Sequence, residues 1–352
     1  MADETRQDGA PHYTLPARWY HDPAFYERER QQIFAKEWLL FGHESMIPES
    51  GTYIARTIAG WPLLVIRGDD GRVRGFHNVC RHRASMIVED GIGKTAALRC
   101  MYHSWVYDMD GQLKKAPGFC EDDATLCSRT KLFSIHLETW NGLIFVCLAD
   151  DAPDFKAALG DLPTATESVD FTAFHYHDTA THTIACNWKT YVENYAEGYH
   201  IPYVHPGLNK EVDFKTYRVV TGDKIAQHLS QPRAHRKDDA INDGLWVWHW
   251  PYAALNVYRN GMNLELMMPT GPEQTTLYYY YLFKDLEDKE ANDRTMAMSR
   301  EVTAEDVKIC EIVQKNLRAG IYTQGELSPR HEGGVAYFQD LVKQKIKWDE
   351  DR

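Results

Sequence analysis

Two short Cys/His pairs carry the most chemical content in the sequence: Cys80-Arg81-His82, then seventeen residues, then Cys100-Met101-Tyr102-His103. A mixed-ligand [2Fe–2S] cluster needs two thiolates on one iron and two neutral imidazoles on the other, and the imidazoles raise its potential above that of an all-cysteine cluster. Each pair fits on one hairpin tip, so two tips can clamp a cluster from both sides. A structural zinc site competes with this reading, but zinc ligands more often pair like with like, as C-x2-4-C and H-x3-5-H. Four inert core residues are the blandest alternative. The mixed pairs favour the cluster, and with it a protein that receives single electrons.

A second set lies about a hundred residues further on. His200 and His205 are five apart with Pro202 between them. On an unbroken helix they would diverge; a break at Pro202 lets His205 return to the same point. Two imidazoles and one carboxylate make the facial triad of a non-haem Fe(II) site, which leaves positions open for O2. The carboxylate is sought on a late helix. Asp306, Ile309, Cys310, Val313 and Leu317 recur at helical spacing, which sets Asp306 in an apolar stripe, with Glu305 and Glu311 elsewhere on the wheel. A carboxylate facing a core is costly unless it is paired or bound to a metal. A capping role beside Thr303 is the competing reading; the two histidines favour the metal.

The elements that must position these groups fall into two patterns. Residues 22–38 read as a helix, with Asp22 as cap and Pro23 at its first position. From Gly51 to Asp150, short β-branched and aromatic runs alternate with turns: Tyr53–Ile58, Pro62–Ile66, Arg74–Asn78, Leu98–Tyr107, Leu132–Glu138 and Leu143–Leu148. Both Cys/His pairs fall at strand ends of this antiparallel β region. A polar linker over 151–169 leads to an α+β pattern: a helix over Asn187–His200 stopped by Pro202, strands at Leu245–Trp250, Ala254–Tyr258, Asn263–Met268 and Thr275–Phe283, a loop over Gln231–Gly244, and a helix from about Thr303 to Arg318 closed by Gly320.

Bulk properties narrow the function. The 352 residues are 43% hydrophobic and 12% aromatic, enough for a substantial core. A formal charge of −12 argues against nucleic-acid binding, which needs a basic face. No run reaches the length of a membrane span; Leu143 to Ala149 reads as a buried strand. The polar Met1–Pro16 stretch lacks an apolar signal region. Seven cysteines, at 80, 100, 120, 127, 147, 186 and 310, form no regular disulfide framework and suit a reducing, cytoplasmic setting.

With both motifs in order, the chain resembles the catalytic α subunit of a Rieske non-haem iron oxygenase over essentially its whole length. The resemblance rests on Cys80, His82, Cys100 and His103, on the Asn187–His205 segment, and on the helix bearing Asp306. It implies a small antiparallel β Rieske domain over 39–150 and a helix-grip catalytic domain over 151–352, with residues 1–38 packing on the latter. It implies cluster ligation by the four Cys/His residues and Fe(II) ligation by His200, His205 and Asp306. Catalytic roles for Glu197 and Asn194 follow from the same likeness. It also implies a head-to-tail homotrimer, in which a carboxylate joins a cluster histidine to an iron histidine of the next subunit. That carboxylate is usually Asp; here it is Glu197, between His103 of the neighbour and His200. Two further departures sit at the tips, where the family commonly has Gly and this chain has Ala84 and Ser104.

The reaction implied is oxygenation by O2, with NAD(P)H electrons delivered by a reductase, with or without a ferredoxin. No G-x-G-x-x-G follows a strand, so the reductase is expected as a separate protein. Arg81, Arg83, Lys94, Arg99, Lys114 and Lys115 could dock an acidic partner. The aromatics Trp246, Trp248, Trp250, Tyr252, Tyr258 and Tyr278 to Tyr281 suit either a sheet core or a cavity that encloses a ring or a quaternary ammonium. Members acting on carnitine and betaines resemble the chain most; an aromatic carboxylate is the alternative substrate, and a purely electron-transferring protein the alternative class. Glu265 facing the pocket would favour a cation; Arg233 or Arg259 would favour a carboxylate.

Overall fold

The computed structural model describes residues 11–119, 124–230 and 244–346. Its contacts divide the described chain into two compact units. One comprises 34–119, 124–155 and 170–176; the other comprises 11–33, 156–169, 177–230 and 244–346.

The first unit is antiparallel β. Its large sheet runs in the order β1 (Leu39–His43), β10 (Leu143–Cys147), β9 (Ser134–Trp140), β4 (Val73–His77), β3 (Trp61–Arg67), β2 (Thr52–Ile58), β5 (Gly91–Lys94). A three-stranded sheet of β6 (Leu98–Arg99), β7 (Val106–Tyr107) and β8 (Leu113–Lys115) sits beside it in the chain order. The expected single strand over Leu98–Tyr107 is thus two two-residue strands flanking a tip at 100–105. Every residue of β1 and β10 is buried, as their unbroken apolar runs require. The core that holds the tips contains Leu64, Ile66, Phe76, Leu98, Trp105, Tyr107 and Leu113 together with Cys80 and Cys100. Buried Asn78 anchors the first tip: its Oδ1 accepts from the N–H groups of Ile87 and Val88, and its Nδ2 donates to the Val88 carbonyl.

The second unit centres on a seven-stranded antiparallel sheet. Its order is β11 (His175–Ile184), β17 (Gln274–Phe283), β16 (Gly261–Gly271), β15 (Ala253–Val257), β14 (Leu245–His249), β13 (Ile225–Leu229), β12 (Arg218–Gly222). Helices Trp188–Tyr195, Lys289–Arg318 and Gly333–Lys345 accompany it. The helix expected to begin near Thr303 begins at Lys289, capped by the Asp288 side chain. Its first half buries Met296 between the polar Asn292 and Thr303, so no long apolar period marked it. The N-terminal helix is α-helical over Pro23–Glu29 and continues as a π turn to Phe34. Linker residues form short helices at Phe155–Leu159 and Leu162–Ala165. The expected loop over 231–243, with Arg233, lies outside the described residues.

Two buried features fix the Trp188–Tyr195 helix. Lys189 Nζ spends its three protons on Glu29 Oε1 (2.5 Å), Asn187 Oδ1 (2.8 Å) and the Trp19 carbonyl (2.9 Å). Burial disfavours both charges of the Lys189–Glu29 pair, lowering the lysine pKa and raising that of the glutamate. Phe338 stands edge-on to Trp188 and Trp248, both at 5.5 Å. Cutting such a ring back to alanine costs about 3–5 kcal/mol.

Among the described residues, Cys80, Cys100, Cys147, Cys186 and Cys310 are free. Cys127 is disulfide-bonded, which departs from the expectation of reduced thiols.

Candidate metal centres and cavity

The two cluster tips are built alike. At the first, Cys80 N–H donates to the Ser85 carbonyl and Ala84 N–H to the Cys80 carbonyl; at the second, Cys100 N–H donates to the Trp105 carbonyl and Ser104 N–H to the Cys100 carbonyl. The fifth residue of each tip is left-handed, with φ of 58° at Ala84 and 56° at Ser104. These are the positions where the sequence departs from glycine, so each tip keeps its turn with a strained side chain.

Between the tips, Cys80 and Cys100 are buried, and the His82 and His103 rings lie 4.6 Å apart. Nδ1 of both histidines is buried without a hydrogen-bond partner. Two thiols and two orphaned imidazole nitrogens in one place fit a [2Fe–2S] cluster. The Tyr107 hydroxyl lies 3.3 Å from Cys80 Sγ. Backbone N–H groups of His82, toward Cys80, and of Tyr102 and His103, toward Cys100, also face sulfur. Donors of this kind stabilise negative charge on sulfur. Trp105 stacks on His82, 4.8 Å away and 6° from parallel.

In the second unit, the helix expected to run to His200 ends at Tyr195, and Pro202 opens a second short helix, Ile201–Val204. Proline suits a first turn, where no N–H is needed. Glu197 and His200 therefore lie in the turn between helices, not on one helical face. The turn passes close to Tyr217: a Cβ on Gly198 would stand 2.0 Å from that ring.

His200, His205 and Asp306 converge, with one ligand atom from each all within 4.8 Å. His200 Nε2 lies 3.1 Å from His205 Nε2, and Asp306 Oδ1 is 3.7 Å from the first and 3.0 Å from the second. Each imidazole has a carboxylate on its other nitrogen: Glu197 at His200 Nδ1, and Glu305 at His205 Nδ1 at 2.7 Å. In the tautomer that donates from both Nδ1–H groups, two Nε2 lone pairs and the Asp306 carboxylate oxygen face one another. That donor set fits a divalent cation. Burial lowers the His205 pKa, but Asp306 and Glu305 outweigh it and raise it overall.

Glu305 corrects the sequence expectation, which set it elsewhere on the wheel. The buried stripe also differs: it comprises Thr303, Asp306, Cys310, Gln314 and Leu317, while Val313 is exposed. Gln314 Oε1 accepts from Asn187 N–H (3.0 Å), tying this helix to the cap of the iron-side helix. Asn194 Nδ2 donates to Asp306 Oδ1 at 2.7 Å, orienting that carboxylate.

The triad opens on a cavity of about 740 Å³. Tyr191, Tyr195, Tyr258 and Tyr279 line it, as do Glu265 and Arg259. Of the four aromatics Trp246, Trp248, Trp250 and Tyr252, which alternate along the chain, Trp246 alone lines the cavity; Trp248 and Trp250 pack near Phe338 as core. Among the described residues, no helix is long and apolar enough to cross a membrane.

Comparison with known proteins matches a domain to each part of the chain. Residues 37–128 match the Rieske [2Fe-2S] domain, and residues 170–348 match the catalytic domain of the ring hydroxylating alpha subunit. Choline monooxygenase of Atriplex hortensis is 31% identical over 343 residues, covering 95% of this chain and 78% of that one. The carnitine monooxygenase oxygenase subunit of Escherichia coli K12 is 30% identical over 359 residues, covering 95% and 94%. The crystal structure of the quaternary ammonium Rieske monooxygenase CntA with L-carnitine superposes with a TM-score of 0.85 at 27% identity, over 96% of both chains. An iron–sulfur domain and an oxygenase domain matched in sequence order, with relatives similar along nearly the whole chain, make this protein a member of the Rieske ring-hydroxylating oxygenases, as an α subunit.

Proposed function

We propose that this chain is the terminal oxygenase component of a multicomponent system that oxidises a small quaternary or N-methylated amine of the betaine or carnitine type. The observation that carries the reading is the open triad of His200, His205 and Asp306 at the wall of the cavity. An electron carrier has no need of such a site, and the relatives named for choline and carnitine point to the substrate class. Arg259 in the same wall suits a carboxylate at the far end of a zwitterion. An aromatic carboxylate is the second reading, favoured by the same arginine.

Cys80, His82, Cys100 and His103 would hold the cluster, and His200, His205 and Asp306 the iron. When bound, the cluster supplies single electrons and the iron(II) supplies O2 activation. The residues of the chain provide position and exclusion. Glu197 and Glu305 fix both imidazole orientations; Asn194 fixes Asp306; the tyrosine-lined wall keeps water from the substrate.

Electrons would come from NAD(P)H through a separate reductase, and the working form would be a homotrimer. In it, Glu197 would join His200 to His103 of a neighbouring subunit. Exposed aromatic and apolar groups beside both centres support this: Tyr203 is 79% exposed near His200, and Met101 57% exposed near His103. Such groups are suited to burial in an interface. A cytoplasmic location goes with this reading.

The test is a single turnover without reductase. The holoprotein is reduced with dithionite, freed of excess, and given O2 with carnitine, betaines, choline and aromatic acids in turn. Product from a quaternary amine supports the proposal. Product from aromatic acids alone transfers the reading to the second substrate class, and cluster reoxidation without product from any compound counts against an oxygenase.

A further inference from the structure

Glu265 is a buried carboxylate in the cavity wall, only 3% exposed. It lies on β16 opposite Tyr279 of β17, and two residues from Asn263, which pairs with Asn256 of β15. Its partners are neutral donors. The Tyr279 hydroxyl donates to Oε1 at 2.5 Å, and Asn256 Nδ2 donates to Oε2 at 3.2 Å. Each donor is itself held: Tyr191 and Tyr279 hydroxyls lie 3.1 Å apart, and Tyr195 donates to Asn256 Oδ1 at 2.7 Å. Glu265 makes no ion pair among the described residues.

A strand interior is an expensive place for an unpaired acid. Burial pushes the Glu265 pKa up to about 7, although the Tyr279 and Asn256 bonds favour the anion. Glu197 is engaged with His200, and Asp306 with both histidines and Asn194, while Glu211 is a further acid of the cavity wall. Glu265 is instead held by Tyr279 and Asn256, with no counter-charge paired to it among the described residues.

We propose that Glu265 is the specificity residue that selects a cationic substrate, its carboxylate facing the ammonium group while Tyr191, Tyr195 and Tyr279 supply the surrounding aromatic wall. This rests on the oxygenase reading for the identity of the cavity, and it adds the residue and the charge by which the cavity would choose. An ammonium cannot donate a hydrogen bond once fully methylated, so recognition must come from charge and from ring faces. A neutral molecule of the same shape would leave the buried acid uncompensated.

The test compares each trimethylammonium compound with the isostere in which carbon replaces the charged nitrogen. Binding to the anaerobic holoprotein is measured by calorimetry for choline against 3,3-dimethylbutan-1-ol, and for carnitine against 3-hydroxy-5,5-dimethylhexanoate. The wild type should bind at least one cation about tenfold or more tightly than its isostere. Glu265→Gln should bring that ratio close to one, by weakening the cation and relieving the isostere, while leaving iron content unchanged. Glu265→Asp, which keeps the charge, should retain part of the preference and guards against a Gln variant that fails to fold. A preference that survives in Glu265→Gln, or a wild type with none, overturns the proposal. The two readings fail separately: cation preference without product from any compound would sink the oxygenase reading and leave Glu265 as assigned. Product from a neutral substrate, with no cation preference, would do the reverse.

Discussion

The cluster tips and the triad solve the same problem, holding ligands still, by different means. At Cys80–Ser85 and Cys100–Trp105 each tip closes on itself within six residues, through paired backbone bonds and one left-handed residue. At the triad, His200 and His205 come from a turn and Asp306 from a helix about a hundred residues later. Their rigidity is borrowed from side chains: Glu197, Glu305, Asn194 and Gln314. A site held by its own backbone should tolerate loss of a neighbouring side chain, whereas a site held by side chains should not.

The largest expected effect of removing a supporting group is therefore at the triad. Glu305→Gln removes the charge behind His205 and should weaken iron(II) affinity by about 10- to 100-fold, the usual range for such partners. Titrating apo-protein with iron(II) while following the cluster spectrum would measure it; an unchanged affinity would break the contrast. At the tips the matching change is Tyr107→Phe. Losing one bond to a charged sulfur, about 1.4 kcal/mol, should lower the cluster potential by roughly 60 mV with the ligands intact. Redox titration checks it, and loss of the cluster itself would show that the tips lean on side chains after all.

The smallest effect has the opposite sign. Ala84→Gly and Ser104→Gly each relieve a left-handed side chain. Each should raise stability by about 1 kcal/mol, less the extra freedom glycine gains in the unfolded chain. Denaturant melting of the cluster unit would show it. A loss of stability would mean that Ala84 or Ser104 makes contacts worth more than the strain.

The same contrast governs what the sequence disclosed. The tips are local, so ligand spacing alone pointed to them. Asp306 was legible across a long separation because an acid broke an apolar helical stripe. Glu305 was not, because His205 approaches the helix from the side, and a helical wheel does not show where a loop arrives. The stop at Tyr195 was missed for a related reason: Pro202 can end one helix or begin another, and here it begins one. The first half of the Lys289–Arg318 helix buries Asn292 and Thr303 alongside Met296, too short an apolar pattern to read. Alternation set Trp246 and Trp248 on one face, but only packing by Phe338 decides which lines the cavity.

One measurement tests the central claim, that two independently built metal centres share this chain: iron per chain, with the cluster spectrum, in the wild type and in Asp306→Ala. The account predicts two cluster irons and one further iron in the wild type. In the variant it predicts loss of that further iron alone, with the cluster spectrum unchanged and no product in single turnover. Retention of the extra iron in Asp306→Ala, or loss of the cluster along with it, would contradict the account.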